Sequence, residues 1–235
     1  MSDRRYEVVF FDFGGTLGEE IPRRDEWIWA RLRDRGVERE LAEVRSALEF
    51  ARGLHEEHQP KYGAGLEDQH RYWVWWYQQL LARLNAPEDC ERVAEWLWET
   101  QTVPHRTYPD TKPALESARR QGWRMGVISN WDNLELQQVL DGLGIGEFFD
   151  CVLPSAQAAC AKPNPGIFTQ ALALMGVEAE RAAHVGDSYH ADVLGARGVG
   201  ITGVLIARGP LRTQVDGLVV NSLLEVPTLL GASEE

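Results

Sequence analysis

The stretch FFDFGGTL, residues 10–17, runs apolar into a carboxylate, Asp12, and then into Gly14, Gly15 and Thr16. A carboxylate is costly to bury unpaired, so at the end of a strand it must be paired, metal-bound or exposed. Three later stretches supply complementary groups: Ser129 and Asn130 in VISN, Lys162 in AKPNPGIF, and Asp187 and Asp192 in HVGDSYHAD. Together these types suit phosphoryl transfer. A carboxylate can attack phosphorus to give an aspartyl phosphate. Two further carboxylates and a backbone carbonyl are the oxygen ligands that octahedral Mg²⁺ prefers. A lysine, a hydroxyl and backbone N–H groups can neutralise the equatorial phosphoryl oxygens. Each also has a plain reading on its own: Ser-Asn after a strand makes a turn, and Asp187 can cap a helix. Their weight lies in their shared position.

That position follows from the elements around them. Residues 6–12, mostly Val and Phe, read as a buried strand closed by a glycine turn. From about residue 107 helix and strand alternate. DTKPALESARRQG, NLELQQVLDGLG, NPGIFTQALALMG and HADVLGARGVG read as helices, and WRMGVIS, FDCVLPS, AAHVGD and ITGVLIA as strands. This rhythm predicts an α/β fold, a Rossmann-like, doubly wound parallel sheet. In such sheets ligands bind beyond the carboxyl ends of the strands, where Asp12, Ser129 and Asp187 fall and where Lys162 precedes a helix.

Between the first strand and this alternation lies a segment of pure helix periodicity. One helix runs from Asp25 to Gly36, a second over about 38–58, a third through Trp73, Tyr77, Leu80 and Leu84, and a fourth over about 88–101. The expected division is a core of 1–17 and 106–235 and a four-helix insertion of 18–105. Seven of the nine tryptophans fall in the insertion, mostly at helical spacing, which predicts a core of large rings. Trp29, Trp75 and Trp98 lie off the main stripes and are candidates for a cleft or partner surface. Residues beyond about Gly231 read as a frayed end.

With 36 acidic against 24 basic residues, the 235-residue chain carries a formal charge of −12, which speaks against nucleic acid or an anionic membrane as partner. A small phosphorylated substrate stays compatible, since a cation and backbone amides hold phosphate whatever the global charge. Cys90, Cys151 and Cys160 show no metal-type spacing and fit a reducing compartment. No apolar run is long enough for a leader or a membrane span. The expectation is a cytoplasmic protein; its oligomeric state is not written in these features.

Nearly the whole chain resembles the haloacid dehalogenase superfamily, on the four stretches quoted above. The resemblance implies Asp12 as nucleophile with Thr16 as its supporting hydroxyl, and Ser129 and the Asn130 amide on the phosphate. It further implies Lys162 steadying nucleophile and phosphate, with Asp12, the Gly14 carbonyl, Asp187 and Asp192 around Mg²⁺. The insertion is similar to the superfamily's helical cap, which selects substrate. GDSYHAD resembles the Mg²⁺-binding form of the fourth motif, which disfavours dehalogenation. One departure matters. Phosphatase members carry Asp-x-Asp in the first motif, the second Asp being their general acid and base, and here that position is Gly14. Positioned acid–base catalysis is typically worth about 10²–10⁴-fold. Glu19, Glu20, His55 and His58 are candidate replacements. The phosphonate-cleaving branch also lacks the second Asp and uses a cap lysine, for which Lys61 is the candidate; a phospholigand-binding module without turnover is the remaining alternative.

Overall fold

The computed structural model describes residues 5–58, 66–86, 89–131, 135–210 and 215–231, with backbone alone at 55–58 and 66–69. Lys61, the side chains of His55 and His58, and the tail beyond Gly231 lie outside the described residues. The chain divides into two compact units, Met1–Glu19 with His105–Glu235, and Glu20–Pro104.

The first unit is built on a six-stranded parallel sheet. Its strands are β1 (Val8–Phe11), β4 (Arg124–Ser129), β5 (Cys151–Pro154), β6 (Ala182–Gly186), β7 (Thr202–Ile206) and β8 (Leu218–Val220), in the order β5-β4-β1-β6-β7-β8. Two short strands, β2 (Gly18–Glu20) and β3 (His105–Thr107), pair separately where the chain leaves and re-enters this unit. Side chains of β1 alternate between the two faces, as a pleated strand requires. Val9 and Phe11 enter one apolar cluster with Leu115, Leu136 and Leu230, while Val8 and Phe10 enter another with Ile167, Phe168 and Met175. The first cluster is closed by α5 (Thr111–Arg120), α6 (Leu136–Gly142) and α10 (Val226–Gly231), and the second by α8 (Pro165–Met175). Both faces of the sheet are therefore covered, which explains why its strands read as continuous apolar runs.

Register places the strand ends side by side. Phe11 pairs with Val127 of β4 and with Val185 of β6. Asp12 follows just past the ladder, its N–H still bonded to Val185 O at 2.9 Å. The helix expected over HADVLGARGVG opens instead as a π-helical turn, Tyr189–Leu194, before the short α9 (Gly195–Arg197). Such turns are rare and concentrate at functional sites.

The second unit contains α1 (Arg24–Asp34), α2 (Leu41–His58), α3 (Leu66–Arg83) and α4 (Cys90–Glu99). Trp27, Ile28, Val44, Trp76, Leu80 and Leu97 lie in one buried cluster. Trp29, Trp73, Trp75, Trp96 and Trp98 are partly buried and pack against it. The rings thus fill or flank a core, including the three that lie off the stripes. Trp29 is further tied down by its indole N–H, which donates to Arg39 O at 2.9 Å. Among the described residues no helix is long and apolar enough to cross a membrane.

Candidate active site

Asp12, Ser129, Lys162, Asp187 and Asp192 meet at the carboxyl ends of β1, β4 and β6. Lys162 is the hub. Its ammonium donates to Asp12 Oδ1 at 2.7 Å and to Ile128 O at 2.7 Å, and it contacts Asp192 Oδ1 at 2.6 Å, so all three donors are used. Ser129 Oγ donates to the same Asp12 oxygen at 2.9 Å. Asp12 Oδ2 has no protein partner among the described residues. Asn130 latches the lysine segment in place: its side chain donates to Lys162 O and accepts from Lys162 N–H, at 3.0 and 2.8 Å.

Asp192 is buried, and its partners nearly exhaust it. Oδ1 takes Lys162 and His184 Nε2 (3.0 Å), and Oδ2 accepts from Ser188 N–H at 2.9 Å. The π-helical turn makes this last bond possible by carrying Asp192 back over Ser188, whose carbonyl accepts from both Asp192 N–H and Val193 N–H. Gly186 must be glycine here, because a Cβ would collide with the Asp192 carboxylate. Gly15, at φ +74°, faces the Asp187 carboxylate in the same way.

The loop after Asp12 is tightly bonded. Phe13 O accepts from the N–H groups of Thr16, Leu17 and Gly18, and Gly15 N–H donates to Gly18 O. Leu17 O accepts from Thr111 Oγ1 and Tyr108 N–H. Arg208 donates to the carbonyls of Gly15 and Thr16. Within residues 13–18, Gly14 alone has a carbonyl with no protein partner among the described residues.

The electrostatics show a shortage of positive charge. Burial raises the pKa of Asp12 and outweighs the pull of Lys162. For Asp187, the protein packed around its carboxyl, then the like charges of Asp12 and Asp192, push it up to about 7 even though the residue as a whole is exposed at the rim. Asp192 is held well below the usual carboxylate range: burial opposes this, but Lys162 and His184 prevail. Lys162 is raised, its two carboxylate partners overcoming burial, and His184 is lowered by burial. Three carboxyl groups share one ammonium, an excess of two negative charges when all three are ionised. Oxygens of Asp12, Asp187 and Asp192 lie within 4.8 Å of one another and could hold a metal ion. Together with the open Gly14 carbonyl, this all-oxygen set fits a hard divalent cation.

The other sequence candidates fare differently. Thr16 is buried, and its hydroxyl has no hydrogen-bond partner, so nothing joins it to Asp12. Glu19 is bonded to Arg106 (2.6 Å) and Glu20 to Arg24, so each is committed to a cation. Three residues near the site escape a motif reading. His184 is hidden in the apolar run AAHVG, Arg208 lies beyond the last long strand, and His105 packs its ring against Phe13 and Trp131 at 5.5 and 5.3 Å. For His184 a signal existed, since a histidine inside a buried strand needs a partner.

Comparison with known proteins gives the family and the fold. The chain is 34% identical over 185 residues to haloacid dehalogenase-like hydrolase domain-containing protein 3 from Bos taurus, covering 77% of this chain and 73% of that one. It is 36% identical over 118 residues to a glyceraldehyde 3-phosphate phosphatase from Methanothermobacter thermautotrophicus, covering 50% and 52%. In fold it is similar to the putative HAD-hydrolase YfnB from Bacillus subtilis, whose crystal structure holds magnesium, with a TM-score of 0.73 at 17% identity over 97% of this chain and 100% of that one. The haloacid dehalogenase-like hydrolase family model matches residues 6–200. With the strand-end carboxylates, the lysine hub and the parallel sheet in hand, the chain is a member of the haloacid dehalogenase-like hydrolases.

Proposed function

We propose that this hydrolase is a Mg²⁺-dependent phosphatase acting on a small phosphate ester or acyl phosphate through an aspartyl phosphate on Asp12. The observation that carries the reading is the division of labour on Asp12. Ser129 and Lys162 both occupy Oδ1, which leaves Oδ2 to attack. Oδ2 bonds to phosphorus as the bond to the leaving oxygen breaks. Lys162 and the Ser129 hydroxyl stabilise the charge on the transferred group. Water then attacks phosphorus, phosphate departs and the Asp12 carboxylate is restored. Asp12, Asp187, Asp192 and the Gly14 carbonyl would hold Mg²⁺, which when bound would supply neutralisation and orientation of the phosphoryl oxygens.

Gly14 narrows the substrate class. With no carboxylic acid at that position, and with Glu19 and Glu20 bonded to arginines, a leaving oxygen that needs little protonation suits the described site best. An acyl phosphate, whose leaving group is a carboxylate, meets this demand without any donor. Phosphatases among the similar proteins and the magnesium of the structural neighbour support the reaction class and the ion.

Release of p-nitrophenol from its phosphate tests the proposal. Turnover should require Mg²⁺ and vanish in Asp12→Asn. Mg²⁺ affinity by calorimetry should fall further in Asp187→Ala than in Asp192→Ala, because the Asp192 oxygens are already occupied. Turnover that survives Asp12→Asn would remove the nucleophile assignment, and Mg²⁺ binding without turnover would point to a phospholigand-binding module.

A further inference from the structure

Arg208 follows β7, far from any of the four stretches that carry chemistry, yet it is among the most heavily bonded side chains near the site. Its Nε donates to Gly15 O at 3.1 Å and an Nη to Thr16 O at 2.5 Å. The same guanidinium meets both oxygens of Asp110, at 3.2 and 3.1 Å, and lies 3.7 Å from the centre of the Tyr108 ring. Asp110 is itself anchored, since its Oδ2 accepts from Ser222 Oγ (2.8 Å) and Leu223 N–H (2.9 Å).

The loop this arginine grips contains two adjacent glycines, the residue type with the most backbone freedom to lose. Its carbonyls decide which oxygens face the site. With Gly15 O and Thr16 O drawn to Arg208, and Phe13 O and Leu17 O taken by other donors, Gly14 O is the one left open. Gly15 also abuts the Asp187 carboxylate, so the placement of its peptide sets how close Asp187 comes. The planar fork meets two successive carbonyls and a carboxylate at once with fixed geometry, which a lysine ammonium reproduces less well.

We propose that Arg208 is a positioning residue for the hydrolytic site: it fixes the Gly14–Gly15 loop through the Gly15 and Thr16 carbonyls, and Asp110 fixes Arg208. Its effect on turnover rests on the phosphatase reading; its effect on the loop does not. Arg208→Gln should lower kcat toward p-nitrophenyl phosphate by as much as about 10²-fold, the usual cost of misplacing a reacting group, with little change in KM. Arg208→Lys should fall between Arg208→Gln and wild type. Free guanidinium at millimolar concentration should restore part of the loss in Arg208→Gln, since a cavity of about 370 Å³ lined by Gly15, Asp187 and Arg208 gives it access. Amide exchange should quicken at Gly15, Leu17 and Gly18 in the variant and stay unchanged in β4 and β6. Should Arg208→Gln fail to fold, Asp110→Asn gives the same two readouts. Loop amides that stay protected in the variant would overturn the proposal whatever the activity. Exposed loop amides in a protein that shows no phosphatase activity even as wild type would support the clamp and defeat the phosphatase reading alone.

Discussion

Of the nine buried polar or charged side chains among the described residues, eight belong to the core unit and Asp25 alone to the helical unit. Asp25 is met by two arginines, Arg45 at 2.5 Å and Arg23 at 3.4 Å. Burial raises its pKa, but the two cations overcome that and leave it lowered. In the core unit the ratio is reversed, with three carboxylates around one lysine, and two of the three have raised pKa values. A buried acid matched by cations is a structural element. A cluster left short of positive charge is a demand for a ligand, and that difference separates site from scaffold within one chain.

The strongest way to break this comparison is Lys162→Met. Removing the one cation leaves Asp12 and Asp192 facing each other in a buried space, and breaking a buried pair costs about 3–5 kcal/mol. Urea unfolding without metal should show that loss, and added Mg²⁺ should recover part of it. A loss indifferent to Mg²⁺ would mean that the cluster does not hold the cation. Next in size, Leu97→Ala in α4 should cost about 2–5 kcal/mol, the range for emptying a packed leucine site. Calorimetry should find its Mg²⁺ affinity unchanged, and a shift would show that the two units are not separable in their chemistry.

Gly14→Asp sharpens the comparison from the other side. The position is exposed, its φ lies outside the left-handed region, and a Cβ there meets nothing within 4 Å, so the backbone accepts the change. Turnover of alkyl phosphates should rise about tenfold or more, a conservative figure set below the usual general-acid gain of about 10²–10⁴-fold, with a small effect on p-nitrophenyl phosphate. Equal gains on both would sink the missing-acid account. The smallest effect is a pH drift. Asp187, raised to about 7 from an ordinary 3.8, binds its proton more tightly folded than unfolded across that window. In metal-free protein its contribution to stability is therefore full below about pH 4 and lost as pH climbs toward 7, muted because the residue is exposed. Saturating Mg²⁺ should abolish the drift in thermal melts, and a drift of opposite sign would contradict the charge shortage.

Much of this molecule was legible in its residues. The Val-Phe run before Asp12, the alternation after 107 and the glycines at helix ends, such as Gly176 in the left-handed region, are local signals and they placed the sheet. The strands pairing Gly18–Glu20 with His105–Thr107 were not legible, since three polar residues carry no period. The three-residue β8, Leu218–Val220, is too short to show a period, and the π-helical turn escaped because one residue of extra winding leaves no trace in an apolar pattern. The strand-end residues could be singled out by type, and the structure brings five of them together. Arg208 could not, because its partners are carbonyls nearly two hundred positions away and any residue supplies a carbonyl.

The sheet order also dictates a sequence of events during synthesis. β1 is central, flanked by β4 and β6, and its Val8 pairs with Arg124 and Ala182. At a typical 5–20 residues per second, the ribosome takes about 10–35 s to deliver the second of these partners. The helical unit, by contrast, is one unbroken stretch and can bury its tryptophans while β1 still waits. VVFF therefore waits about 6–23 s for its first partner strand and about 10–35 s for its second, which makes that segment a natural target for a chaperone that binds extended apolar peptide.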